Sequence, residues 1–124
     1  MSDEITIRAY RPGDEHSLVE GCNKIFPQST SLQHWYWKFR DAPMGNNPVG
    51  RPHIAVAEAQ DVGIVGTYST MSTRVRMEGE DLLTAQGADI FIFPEFRRKA
   101  PRPGLFVQLG LRHNEMFTGT DHGQ

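Results

Sequence analysis

The chain has 124 residues and a formal net charge of -2, with 38% of its positions apolar and 23% charged. That composition suits one small domain and argues against a disordered chain, and no apolar run approaches the roughly 20 residues of a membrane span. The weakly acidic balance also argues against a nucleic-acid partner, since neutralising phosphates needs a strong basic excess.

The start, Met1-Ser2-Asp3-Glu4, is acidic and lacks the pattern of a signal peptide. Ile5-Thr6-Ile7-Arg8-Ala9-Tyr10 then alternates with period two, which predicts a short strand with Ile5, Ile7 and Ala9 inward. Pro12-Gly13 breaks it, and Asp14 offers a side-chain acceptor for the free amides of a helix start. Leu18, Cys22, Ile25 and Phe26 share one face of that helix. Cys22 is the only cysteine, so no disulfide framework exists and the cytoplasm is the expected compartment. Its place on the apolar stripe predicts packing, not reactivity.

Pro27 ends this helix. Thr30 with Gln33 has the spacing of a capping box, and Leu32, Trp35, Tyr36 and Phe39 follow at i, i+3, i+4 and i+7. Trp37 and Lys38 fall on the opposite side. Leu18, Cys22, Phe26, Leu32, Trp35 and Phe39 are expected to face the sheet. Residues 41–52, rich in Pro, Gly and Asn, read as a loop.

Residues 53–58 and 64–77 are β-rich and joined by Gln60-Asp61-Val62-Gly63, a hairpin signal. A second reversal at Glu78-Gly79-Glu80-Asp81 leads into a third run, 82–96, where Gly87 suggests a bulge. The middle of the chain therefore predicts an antiparallel meander. After a basic segment holding Arg97, Arg98, Lys99 and Arg102, a last helix is expected from Gly104 to about Phe117. Leu105, Leu109 and Met116 share one of its faces, and Phe106, Gly110 and Phe117 the neighbouring one.

The five histidines are scattered, with none at i+3 or i+4 from another, so no metal site is expected. No G-x-S-x-G turn is present either. The informative stretch is Ala88-Asp89-Ile90-Phe91-Ile92-Phe93-Pro94-Glu95-Phe96-Arg97-Arg98-Lys99, followed by Gly104-Leu105-Phe106. A hydrophobic strand, a basic turn and a helix opening at glycine aim backbone amides and a helix dipole at one spot, as an anion site requires.

These residues resemble the GNAT N-acetyltransferases, in which a strand ending in V-x-P-x-[YF]-R leads into R-x-x-G-x-[GA] and a helix. Ile5-Thr6-Ile7-Arg8 with Arg11-Pro12-Gly13-Asp14 resembles the opening of many members, and His34-Trp35-Tyr36-Trp37-Lys38-Phe39-Arg40-Asp41-Ala42-Pro43-Met44-Gly45 a block found in one branch. Val62-Gly63-Ile64-Val65-Gly66-Thr67-Tyr68 is similar to the paired middle strands. The resemblance runs in order along nearly the whole chain. It implies a GNAT-like α/β fold over residues 1–124: an N-terminal strand, two helices, an antiparallel meander and a closing helix. The C-terminal half of the family fold would be absent.

It further implies acyl transfer from acetyl-CoA, as co-substrate, to a primary amine acceptor. The backbones of Phe91, Ile92 and Phe93 would pair with the pantetheine arm, as an added strand does. Arg97, Arg98 and Lys99, with Arg102, Gly104, Leu105 and Phe106, would hold the pyrophosphate. Asp89 is the candidate proton acceptor for the amine. Two departures stand out. Ala100-Pro101-Arg102-Pro103 separates the loop arginines from Gly104, and its prolines lack amide hydrogens. The second is the absent half of the fold, which would leave the 88–93 strand with an apolar edge. Self-association, or a partner chain completing the sheet, is therefore expected, and the alternative to an enzyme is an interaction or assembly module.

Overall fold

Strand β1 (Ile5–Ala9) pairs antiparallel with β2 (His53–Ala59), and β2 with β3 (Gly63–Met77). Strand β4 (Glu80–Gly87) and the short β5 (Phe91–Ile92) both pair with β3, one beyond the other. Helix α1 (Glu15–Ile25), the single turn α2 (Leu32–Trp35) and a π-helical segment (Tyr36–Asp41) lie on one face of the sheet, and α3 (Leu105–Phe117) on the other. The computed structural model describes residues 4–27, 29–41, 52–97 and 104–117. The result is a mixed α/β fold, an antiparallel sheet between two helical layers.

The middle strand β2 explains why the layers meet. Its even positions, Ile54 and Val56, join Leu18, Cys22, Trp35, Phe39 and Phe91 on the α1 side. Its odd positions, Ala55, Ala57 and Ala59, join Val65, Ile92, Phe96, Leu105 and Leu109 on the α3 side. Covered on both faces, the strand is a near-continuous apolar run without polar alternation. Alanine on the α3 side lets that helix lie close to the sheet. Of the six residues expected to face the sheet, Leu18, Cys22, Trp35 and Phe39 are buried and Leu32 is half-buried. Phe26 is exposed, because α1 ends at Ile25 and Phe26 has already turned to extended backbone.

Both hairpin turns form where expected. Asp61 and Gly63 take positive φ in the first, and Glu78 (φ 51°) and Gly79 (φ 82°) form the second as a primed two-residue turn. Beyond Thr70, where pairing with β2 ends, the β3–β4 hairpin continues as a two-stranded ribbon to Met77 and Glu80. The expectation of one strand over 82–96 is corrected. Thr70 faces Gly87 and the Ala88 amide donates to Ser69 O at 3.0 Å, yet Thr67 faces Phe91. Three steps along β3 therefore match four along its partner. The extra residue lies within 88–90, just past Gly87, and Asp89 absorbs it at φ 55°. Phe96 belongs to a 3-10 turn (Pro94–Phe96), not to a strand.

The helix starts also differ from expectation. Asp14 is already helical and caps nothing; its carboxylate accepts two bonds from Arg8, at 2.8 and 3.1 Å, and one from the Arg11 amide. The Arg8 fork, six residues earlier on β1, outcompetes the helix amides because a charged bidentate pair is the stronger bond. In the second helix Ser31, not Thr30, is the cap and accepts from the His34 amide, while Thr30 is tied by its backbone to the Asn23 side chain.

Glu15, 7% exposed, links β1, α1 and the π segment. It accepts from Tyr10 Oη and Tyr36 Oη, each at 2.7 Å, and from the Gly13 amide at 2.8 Å. Burial acts to raise its pKa, but the bonds from Tyr36, Tyr10 and the amides of Glu15 and Gly13 outweigh it and hold the carboxyl down to about 2. Burial and the bond to Glu15 push the Tyr10 phenol up.

On α3 the buried residues are Leu105, Leu109, His113 and Phe117, a stripe at every fourth position. The expected face was right for the two leucines. Phe117 is buried with them while Phe106 is exposed, so those two do not share an environment. His113 is 1% exposed, and its Nε2 donates to His53 O at 3.1 Å with Thr70 Oγ1 equally near. A carbonyl only accepts, so Nε2 carries the proton and Nδ1 is a lone pair with no partner among the described residues. Burial pulls this imidazole's pKa below its usual 6.5, the His53 carbonyl opposing.

Two windows of acid sensitivity follow. The depressed pKa of His113 gives stability that is complete above 6.5 and declines as the pH falls below it. The depressed pKa of Glu15 gives stability complete above 4.5 and lost as the pH falls towards about 2. Urea unfolding across both windows should show two successive declines, with His113→Gln flattening the upper and Glu15→Gln the lower. A wild-type profile level through both would contradict the assignment.

Candidate functional site

Strand β5 has one committed edge and one open edge. Phe91 and Ile92 lie opposite Thr67 and Gly66, and the Phe93 amide continues the ladder by donating to Val65 O at 2.9 Å. Neighbouring residues of a strand send their amide groups to opposite edges, so those of Ile92 face outward. The Ile92 carbonyl there accepts from Arg97 Nε at 3.1 Å, which fixes the guanidinium beside the strand. No strand among the described residues pairs with this outer edge.

A cleft of about 410 Å³ opens along it, between the end of α1 (Ile25, Phe26), residues 90–92 and Phe106 at the start of α3. Its lining is apolar apart from Arg97. Gly104, at φ 104°, turns the chain into α3 and accepts from the Gln108 amide at 3.0 Å. The positive end of a helix dipole and a guanidinium therefore lie at the α3 end of an apolar groove.

Among the residues expected to form a cofactor site, Phe91, Ile92, Arg97 and Phe106 line this cleft. Phe93 is half-buried, its ring stacked on Phe91 and approached by Lys24 Nζ at 5.6 Å. Leu105 is a core residue, so only its backbone is available there. Arg98, Lys99 and Arg102 lie outside the described residues.

Asp89 faces a second cleft, of about 370 Å³, shared with Cys22, Phe26, Thr30, His34 and Lys38. Its Oδ2 accepts from Lys38 Nζ at 2.9 Å, with the two side chains 28% and 18% exposed. Sequence periodicity sets Lys38 beside Trp37 on the outer side, and only Trp37 is there, half exposed and stacked on His34. The π-helical turn takes in an extra residue, which rotates Lys38 towards the sheet. No composition signal marks that change of pitch. Burial, with the Asp89 charge adding and the Lys38 charge opposing, pushes the Cys22 thiol up to about 11, so it stays protonated and is no nucleophile. Phe26 borders both clefts. Among the described residues no group of three or more His, Cys, Asp or Glu is placed to hold a metal. Against family models, curated proteins and solved structures the chain has no match.

Gly21 sets the depth at which β5 sits on α1. A Cβ at this position would overlap Phe91 Cζ, lie 2.7 Å from Phe91 Cε1 and 3.3 Å from Phe93 Cζ. Gly21→Ala gains about 1 kcal/mol of helix preference but overpacks a buried ring, at a cost of about 1–3 kcal/mol. Chemical denaturation should therefore show net destabilisation and a chemical-shift change at Phe91; a more stable variant with Phe91 unmoved would refute the close contact.

Proposed function

We propose that the chain is an acyl-CoA-dependent N-acyltransferase of the GNAT kind, passing an acyl group, acetyl in the simplest case, to a primary amine. The observation that carries this reading is the open edge of β5 facing an apolar cleft that ends at Arg97 and the start of α3. A ligand with amides along its length, an apolar stem and a phosphorylated end suits that groove: the amides pair with a strand edge that no other strand among the described residues occupies and whose Ile92 carbonyl is shared with Arg97, and the anion meets the helix start and the guanidinium.

Acyl-CoA supplies the reacting thioester: the acyl carbon–sulfur bond breaks as a carbon–nitrogen bond forms, a proton leaves the amine, and the released thiolate takes up a proton. The chain's own groups bind and orient. The outward backbone of Ile92 aligns the arm. Asp89, two residues ahead of Phe91 and presented by the bulge, accepts a proton or hydrogen bond from the amine, since one lysine contact leaves a carboxylate further acceptor sites. The amine must lose its proton before it attacks, so a nearby acceptor raises the reactive fraction.

Thermal-shift titration of the wild-type chain with acetyl-CoA should raise the melting temperature. Arg97→Ala removes a charge-assisted contact and should weaken binding by at least ~1.5 kcal/mol, about tenfold. Absence of any shift, or equal affinity in the variant, would count against this placement.

A second reading has its own observation. Phe106, Val107 and Leu111 on α3 are exposed, at 54%, 43% and 56%. Three large apolar side chains on one short helix suit a protein contact, and the chain would then be an interaction or assembly module. Sedimentation across a range of micromolar concentrations should show association that Phe106→Ser with Leu111→Ser abolishes. A 14.0 kDa monomer at every concentration would remove this reading.

A further inference from the structure

We infer that the cleft between α1, the π-helical segment and the bulge binds a small free amino acid, with its carboxylate on Lys38 and its amine on Asp89. As a statement about the acceptor this rests on the acyltransfer reading; as a statement about binding it does not.

Two departures from regular backbone bring this pair together. Lys38 is turned inward by a π-helical segment, and Asp89 itself takes a left-handed backbone at φ 55°. Each conformation is less favourable than regular structure, and both kinds concentrate at functional sites. Lys38 and Asp89 are 51 positions apart in sequence and meet at 2.9 Å on the wall of a 370 Å³ cleft. Stability alone is a weak reason for such a pair, because taking two charges partly out of water offsets most of their attraction.

The chemistry of the wall selects the ligand. One fixed cation and one fixed anion side by side leave the ion pair neutral, so a ligand of net charge would leave one partner uncompensated. A zwitterion inserts its carboxylate beside the ammonium and its ammonium beside the carboxylate, and both gain charge-assisted hydrogen bonds. Phe26 and Pro27 give an apolar wall for a side chain, and the protonated Cys22 thiol adds no charge. The volume is near the lower end of small-molecule pockets, about 300–1,000 Å³, which suits a free amino acid better than a longer ligand. Phe26 separates this cleft from the groove along β5, so an amine held at Asp89 lies next to that groove.

The test is isothermal titration of the whole chain, without acyl-CoA, using each of the twenty standard L-amino acids, β-alanine and γ-aminobutyrate. At least one should bind with a millimolar or tighter constant, and its N-acetyl and methyl ester forms at least about tenfold more weakly, the loss of one charge-assisted bond. Lys38→Met should weaken the free amino acid about tenfold and the methyl ester hardly at all, since the ester has already lost that contact; Asp89→Asn should show the same pattern with the N-acetyl form. A purely structural ion pair would not distinguish free from blocked ligands. No binding across the panel, or equal binding of free and blocked forms by the wild type, overturns the inference even if the variants fail to fold. Acetyl-CoA is titrated separately: amino-acid binding without acetyl-CoA binding sinks the transfer reading alone, and the reverse result sinks this one alone.

Discussion

The arrangement turns on a single mismatch along β3, three residues against four between the pairs Thr70–Gly87 and Thr67–Phe91. One strand edge serves two partners in succession, and the register between them cannot be continuous. The spare residue has to leave the ladder, and it does so where Asp89 adopts a left-handed backbone. That places a carboxylate off the sheet on the α1 side and re-aims β5 so that its outer backbone faces a groove. Both clefts are consequences of this one register break, which is why they adjoin.

The break is tolerable because the elements around it are held by strong local bonds. Arg8 reaches Asp14 and Glu58, tying the loop before α1 to β1 and β2. Glu15 gathers two tyrosines and a backbone amide in one buried place, so α1 and the π segment share an anchor. Beneath β5, Gly21 leaves room for Phe91 to lie against α1. The polar bonds fix the helices, and the aromatic contact fixes the strand to them.

Much of this was legible in the residues. Period-two alternation located β1, β-rich composition located β2 and β3, the Asp-Val-Gly and Glu-Gly runs located both turns, and Leu18, Cys22, Trp35 and Phe39 announced the buried helical face. Three features were not. Asp14 looks like a cap because its spacing is right, but Arg8 competes for it and spacing says nothing about competitors. Lys38 looks solvated because a 3.6-residue period puts it outside, and a π turn has no local residue signature. His113 is absent from the apolar face that Leu105, Leu109 and Met116 mark, because apolar periodicity does not register a histidine; the stripe at every fourth residue carries it under the sheet, where Thr70 and the His53 carbonyl receive it. In each case a partner outside the helix overrode a local preference. The same is true of the second cleft, whose two charged residues are far apart in sequence.

The length of β3 has a further consequence. Up to Thr70 it is paired with β2, and at Gly66 and Thr67 with β5 on its other side as well, whereas beyond Thr70 as far as Met77 only β4 accompanies it. A two-stranded ribbon in water is marginal by itself, while a three-stranded core opens only with the whole domain. Amide hydrogens of one continuous strand should therefore exchange with solvent in two populations, divided at Thr70. The distal amides report the ribbon's own opening, and those from Gly63 onward report the unfolding of the molecule.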